Sequence, residues 1–498
     1  MRITNGMMIS NSLSNINNNK LKVDNLNTQL ITKQKIQRPS EDPIIAVRAL
    51  RLRTTYAQIT QYLERNIKDA NNWMSSTDDA LESIEDGLKD ITTYLDQAVN
   101  GYLEDSDKST IVTTLSTYRD QLFATANSDY AQRTLFTGYK TNTTLSYTKD
   151  QPDKKFNINQ SFNAENIRAE KKVINGIDIS KITTGTISDL DVEAMANPSF
   201  ESAYIMRLAY SGLDDTDEAK ALKMYTDDGN GNLTEDTLTA VTKSLNDADA
   251  YKPGDDEIHF IPETGEYVFG KNVYAKIEEC ERVDVSYSKT GFKKGDLDPI
   301  HYFECEDVTD PDNIVKYALK DQPIEYEVSF NQNMNINIQG KDVFQHDMTR
   351  DMDEIVDAVN YAIQSENKVS KIEEMYNNAE EDSEEKEKLE ELLNMAKREY
   401  DFAKESMNQM ISSGLTKYHI HQNTVMNARS DIGSRMLRLE LTENRLTSQQ
   451  LTVRTLKSTN EEINDVDVSV QFKEAKDVYD ASLAVAAKLV QKRLIDFL

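Results

Sequence analysis

Two stripes of apolar residues, one toward each end of the chain, limit what this sequence can fold into. Ile67, Ala70, Met74, Thr77, Leu81, Ile84, Leu88, Ile91 and Leu95 alternate steps of three and four residues without a slip. Val425, Ala428, Ile432, Leu439, Leu446 and Val453 keep one register near the other end. A repeat averaging 3.5 residues gives a helix a narrow seam that another long helix must cover. Neither seam has a partner of matching length in its own half. The sequence therefore predicts that the two ends pair with each other and that the termini lie side by side.

Local signals fill in the frame. Ile9, Leu13, Ile16, Val23 and Leu30 fall on one face of a polar, Asn-rich N-terminal helix. In RPSEDP, Asp42 suits a helix N-cap and Pro43 the first helical position, where the missing N–H costs nothing. Gly101 is placed to end the first seam helix and Ser106 to start the next, which carries Ile111, Leu115, Tyr118 and Leu122. Further on, a helix is expected over 352–363, then the acidic run EEDSEEKEKLEEL as a solvated helix face or connection. The loop STNEEINDVDVS precedes a final amphipathic helix with Phe472, Ala475, Tyr479, Leu483, Ala486, Val490, Leu494 and Phe497. Between the helical ends, EIHFIPETGEYVF, VDVSY, IEYEVSF and NINI alternate with period two around Thr-Gly and Asn-Gly turns. At least one helical passage is expected near residues 200–225. The fold class read from this is α+β and elongated: long terminal helices paired in a coiled-coil-like bundle, with a β-rich outer domain inserted between them. The predicted domains are 1–40 and 461–498 as terminal helices, 41–145 and 346–460 as the halves of the bundle, and 146–345 as the insert.

Composition removes several function classes. The formal net charge of −29 repels nucleic-acid phosphates and anionic headgroups alike, so neither nucleic acid nor membrane is an expected partner. Hydrophobic residues make up 38% of the 498, and the mean hydropathy of −0.65 suits a molecule with much surface. No apolar run reaches membrane-spanning length and no secretory signal is visible, which taken alone points to the cytoplasm. Cys280 and Cys305 have no C-x-x-C spacing and read as semi-buried thiols. His419 and His421 stand two apart, on different helix faces. Gly265-EYVF-Gly270-Lys271-Asn272 imitates a phosphate loop, but Asn takes the place of the Ser or Thr hydroxyl and Tyr267 and Phe269 alternate as strand residues. DDGNGNLTED imitates a calcium loop from Asp228, with Leu233 where glycine is needed. Neither is read as a site. No catalytic grouping, cofactor site or metal site is expected, and an enzyme reading has no positive support. On pattern alone the seams fit a coiled-coil spacer or cytoplasmic tethering module as well as an assembly device.

Several segments together resemble one family. MRITNGMM, RPSEDP before a long helix, and NGYLEDSDKSTIVTTLSTYRDQLFATANSDYAQRTLFTGYKTNT resemble the hook–filament junction (third hook-associated) proteins of the flagellin superfamily. So do NINIQGKDVF, NARSDIGSRMLRLE, EEINDVDVSVQFKEA, ASLAVAAKLVQ and the terminal LIDFL. The likeness covers roughly residues 1–145 and 340–498 and leaves 150–335 unmatched. It implies a non-enzymatic subunit of the bacterial flagellum, extracellular and exported without a cleaved signal peptide. The implied partners are copies of itself in a ring, a hook-side junction protein, flagellin and a flagellar export chaperone. It also implies terminal helices that order on assembly. Ile9, Leu13, Ile16, Val23, Leu483, Ala486, Val490, Leu494 and Phe497 are then candidates for the assembly seam, and Leu81, Ile84, Leu88, Ile432 and Leu439 for the internal bundle core. A filament-forming flagellin is the nearest alternative; LIDFL and GYKTNT resemble the junction family more.

Overall fold

The structure is a computed structural model. It describes all residues except 1–4, 101–104, 180, 181, 183–191, 193–196, 228–232, 246, 248, 381–383 and 496–498, with the side chains of 5, 100, 105–107 and 489–495 also outside the description. In chain order the helices are α1 (Asn5–Thr32), α2 (Pro43–Gln61), α3 (Ile67–Asn100), α4 (Asp105–Ala126) and α5 (Asp217–Lys220), then α6 (Lys271–Glu278), α7 (Gly340–Val343), α8 (His346–Asn378), α9 (Glu384–Glu461) and α10 (Asp465–Ile495). The strands begin with β1 (Asp129–Tyr130), β2 (Arg133–Thr134), β3 (Gln151–Phe162), β4 (Ile167–Ile174) and β5 (Ser199–Arg207). They continue with β6 (Ala221–Asp227), β7 (Leu233–Thr239), β8 (Val241–Thr242), β9 (Ile258–Ile261) and β10 (Glu266–Phe269). The last are β11 (Arg282–Phe292), β12 (Glu304–Asp307), β13 (Val315–Tyr317), β14 (Glu325–Ser329) and β15 (Gln332–Asn335). Along the chain, long terminal helices thus precede and follow a β-rich middle. The chain divides into two compact units: Met1–Asn71, Tyr326–Met334 and Leu437–Leu498 form the first, and Asn72–Glu325 with Asn335–Met436 the second.

In the first unit α2 starts as RPSEDP predicts. The Asp42 carboxylate accepts from the backbone N–H groups of Ile44 and Ile45, and Pro43 occupies the first turn. These bonds satisfy donors that a helix start leaves open. A π-turn, Tyr62–Asn66, joins α2 to α3. The Tyr62 hydroxyl donates to Glu327 Oε1 at 2.9 Å and Asn66 Nδ2 to the Glu327 carbonyl at 2.7 Å. Both grip one strand of the β14–β15 hairpin, and Arg445 holds the other through Gln332. The end of α9 runs beside α2: Arg53 makes a two-pronged ion pair with Glu461, and Gln450 donates to Thr60.

In the second unit α3, α4, α8 and α9 pack as a helical bundle. Arg429 of α9 bridges Asp78, Glu82 and Glu85 of α3. Arg119 of α4 pairs with Asp353 of α8, and the Tyr418 hydroxyl of α9 donates to the Met348 carbonyl of α8. At Gly414 a Cβ would lie 2.5 Å from Ile355 Cδ1, so glycine permits that close approach of α9 to α8. A six-stranded sheet, β13-β12-β3-β11-β6-β7, and a five-stranded sheet, β4-β5-β10-β9-β8, share one core. Phe156, Ile158 and Tyr287 enter it from the first sheet, and Met206, Phe260 and Tyr267 from the second. The ends of this β region close on each other where the Gly340 N–H donates to the Phe136 carbonyl and the Phe136 and Phe344 rings meet edge to face at 5.0 Å.

Three local expectations change. The helical passage expected near 200–225 is the single turn α5, and the rest of the stretch is β5 and β6. STNEEINDVDVS is not a loop throughout, because α9 runs to Glu461 and α10 begins at Asp465. NINI ends the β14–β15 hairpin at Asn335, and Ile336 and Ile338 continue into the core without strand structure. Gly101 lies outside the described residues.

Candidate assembly surface

α1 and α10 lie against each other in the first unit. Leu26, Val468 and Ala475 form the buried centre of their seam, with Val23, Leu30, Ile463 and Phe472 packed around it. Asn19 Nδ2 donates to Ser482 Oγ at 2.8 Å across the pair. Of the seam residues predicted from sequence, Ile16 is buried, Ile9, Val23 and Ala486 are half-buried, and Leu13 and Leu483 are exposed. The side chains of Val490 and Leu494, and all of Phe497, lie outside the described residues. Met7, Met8, Leu21, Val466, Val470, Val478 and Val485 are exposed as well. The pair therefore buries a short seam and leaves much of its apolar side-chain surface to solvent. Leu26, Val468 and Phe472 were not singled out for the seam in advance. Phe472 lies on the final stripe, but the partner that buries it is more than 400 positions away in sequence.

The two chain crossings beside this pair are tied together. Gln34 and Glu462 form an isolated antiparallel bridge, with Lys35 N–H donating to the Glu461 carbonyl and Ile463 N–H to the Lys33 carbonyl. Lys33 has φ +60° and closes α1 as a left-handed cap, its N–H donating to the Gln29 carbonyl.

Leu81, Ile84, Leu88 and Ile432 are buried in the second unit, and Leu439 is buried in the first. A polar centre that sequence reading missed lies where β4 and β5 meet α8 and α9. Asp351, 1% exposed, accepts from Arg207 at 2.9 Å, Lys417 at 3.0 Å and His421 Nε2 at 2.9 Å. Glu354 pairs with Arg207 at 2.6 Å and Lys417 at 3.2 Å. Burial alone would raise the Asp351 carboxyl; the His421 hydrogen bond and the charges of Arg207, Lys417 and Arg168 outweigh it and hold the group well below the usual carboxylate range. This is an internal ion cluster in which Asp351 and Glu354 face Arg207, Lys417 and Arg168.

The motif lookalikes resolve as follows. Gly265, with φ +67°, turns the β9–β10 hairpin. A helix follows Gly270, but EYVF between the glycines is the buried strand β10, as its alternation predicts, and leaves no loop to cradle a phosphate. Residues 228–232 of the calcium lookalike lie outside the described residues; Leu233 already belongs to β7. Cys280 is half-buried and Cys305 buried, both unpaired, and burial pushes the Cys305 thiol up to about 12. Among the described residues no group of three His, Cys, Asp or Glu side chains could hold a metal, and no helix is long and apolar enough to cross a membrane.

Residues 3–141 match the bacterial flagellin N-terminal helical region. Over 143 residues it is 35% identical to flagellar hook-associated protein 3 of Salmonella typhimurium, a match covering 28% of this chain and 44% of that protein. Over 145 residues it is 32% identical to flagellar hook-associated protein 3 of Escherichia coli, covering 29% of this chain and 45% of the relative. The chain thus spans less than half the length of the curated relatives it matches. Among solved structures it is similar to the flagellar junction protein FlgL of Legionella pneumophila, with 12% identity, a TM-score of 0.29, and coverage of 83% of this chain and 99% of that one. The flagellin-type segment spans α1 to α4, which includes the N-terminal member of the exposed helix pair and the first seam helix.

Proposed function

We propose that this chain is a non-enzymatic structural subunit of the bacterial flagellum that forms the junction ring between a hook-side junction protein and the flagellin filament. The observation that carries the reading is the 35% identity to a flagellar hook-associated protein 3 within the flagellin-type segment. The mechanism is coupled folding and assembly, in which neighbouring subunits cover the apolar faces that α1 and α10 leave exposed. Ile9, Leu13, Ile16, Val23, Leu483, Ala486, Val490, Leu494 and Phe497 form the assembly seam, while Leu81, Ile84, Leu88, Ile432 and Leu439 hold the subunit together. Its place is extracellular, reached by export with an export chaperone. Electron microscopy of cells lacking the chain tests this. Bare hooks are the expected result, and filaments of normal number and length overturn it. The flagellin-type segment also suits a filament-forming flagellin. That reading requires the chain to dominate sheared filaments, where a junction protein is a trace band.

A further inference from the structure

The first unit carries two exposed helix faces of opposite character. On α2, Ile44, Val47, Arg48 and Arg51 share one face by their three- and four-residue spacing, with Leu50 on its flank; all are exposed. α2 contains no acidic residue although the whole chain carries −29. Among the described residues Arg48 and Arg51 form no ion pair, unlike Arg53, which Glu461 holds. On the part of α9 within this unit, Leu437, Glu440, Leu441, Asn444 and Leu451 share one exposed face, with Glu443 beside it. Leu437 is 58% exposed and Leu441 63%, comparable with Ile44 at 70% and Leu50 at 64%. Glu440 and Glu443 likewise form no ion pair among the described residues.

We infer that the α2 face of one copy docks on the α9 face of the next, Arg48 and Arg51 meeting Glu440 and Glu443 around an apolar centre of Ile44, Val47, Leu437 and Leu441. The inference rests on the reading of the chain as a self-assembling subunit and specifies the surface that reading leaves open. Charge sorting limits which faces can meet. Two α2 faces set against each other would oppose arginines, and two α9 faces would oppose glutamates, so a two-fold dimer through either face is disfavoured. Unlike faces pair, and where each copy uses its two faces on different neighbours the contact is head to tail and closes into a ring or continues as a helix. A two-fold dimer that satisfies both unlike pairs at once would stop at two subunits, so a cross-linked ladder rather than a single dimer band marks the head-to-tail contact.

Charge reversal in cells lacking the chain tests this, each variant supplied at full length. Arg48→Glu with Arg51→Glu should cut filament-bearing cells by more than about tenfold, because like charges would then face across the contact. Glu440→Arg with Glu443→Arg should do the same. Co-expression of these two double variants should restore filaments, since alternating subunits again match acid to base. All four sites are exposed, so the purified variants should melt like the parent. As a second measurement, Val47→Cys with Leu441→Cys should give a disulfide ladder on isolated flagella after oxidation, above the background of the unsubstituted chain, whereas Val47→Cys alone should give none. Reversals without effect, a reversed pair that co-expression does not restore, or dimers from Val47→Cys alone would each overturn the head-to-tail contact. If deleting the chain leaves flagella intact, the proposed function itself fails, which is a separate outcome.

Discussion

Asp351 shows how much one buried side chain holds in place. Both its oxygens are engaged, one by Arg207 and Lys417 and the other by His421, and Glu354 shares the same two cations. Asp351→Ala would leave Arg207, itself only 9% exposed, short of a countercharge. Removing one partner from a buried ion cluster costs about 3–5 kcal/mol, and urea unfolding should register that loss. The sign of the pH dependence follows from the depressed carboxyl. Its contribution is complete above the unfolded value near pH ~4 and is lost as pH falls toward the lower folded value. His346 acts over a higher window. Tyr210, Tyr302 and Phe303 ring it at 4.8, 4.6 and 5.1 Å, and burial lowers its imidazole to about 3. Between that value and the unfolded one near ~6.5 the unfolded chain takes up a proton that the native protein refuses, so stability falls as pH falls through the window. His346→Phe should make the stability profile shallower in that window, where His301, lowered by burial to about 4, keeps its own share, and should leave the Asp351 loss at lower pH untouched. A profile unchanged by the substitution would remove His346 from the account.

At the scale of elements, Leu81→Asp is the sharpest test of the bundle. Leu81 is fully buried on α3, and an aspartate there is a charge without a partner. A loss of about 4 kcal/mol or more is expected in denaturant unfolding; a loss under 1 kcal/mol, the size of a surface change, would place α3 outside the core. The helices were legible in sequence for physical reasons. A 3.5-residue repeat sustained over 29 positions, from Ile67 to Leu95, has no strand equivalent, and Asp42-Pro43 marks a start through bonds that only a helix N-terminus needs. β5 was not legible as a strand because SFESAYIMR is apolar on both sides. Ala203 and Ile205 face one cluster while Met206 faces another, so period two is masked by burial on both faces. The ion cluster was not legible. Arg207 and Asp351 are 144 positions apart, and no local pattern announces a salt bridge that only the packed sheet and helices create.

For the whole molecule, folding and assembly should separate experimentally. A chain ending at Ala481 loses Ser482, the partner of Asn19, and Leu483, which is 43% exposed, together with the remainder of α10. None of the removed residues belongs to the second unit, so unfolding of that unit should be unchanged. Assembly should suffer far more. Leu483, Val490, Leu494 and Phe497 are proposed to be covered by neighbouring subunits, and each such side chain is worth about 1.5–3 kcal/mol when fully buried. The assembled contact would therefore lose on the order of 6–12 kcal/mol before the entropy of ordering the segment is subtracted. Cells carrying the truncation should build hooks and shed unpolymerised flagellin into the medium, although the purified chain folds. Hydrogen exchange on the full-length monomer tests the same division: amides of α1 and α10 should exchange well ahead of those around Leu81 and Ile432, because a short seam opens at lower free energy than a packed core. If the truncated chain instead melts much earlier throughout, α10 belongs to the folded core. The terminal seam would then be a stability element rather than an assembly surface.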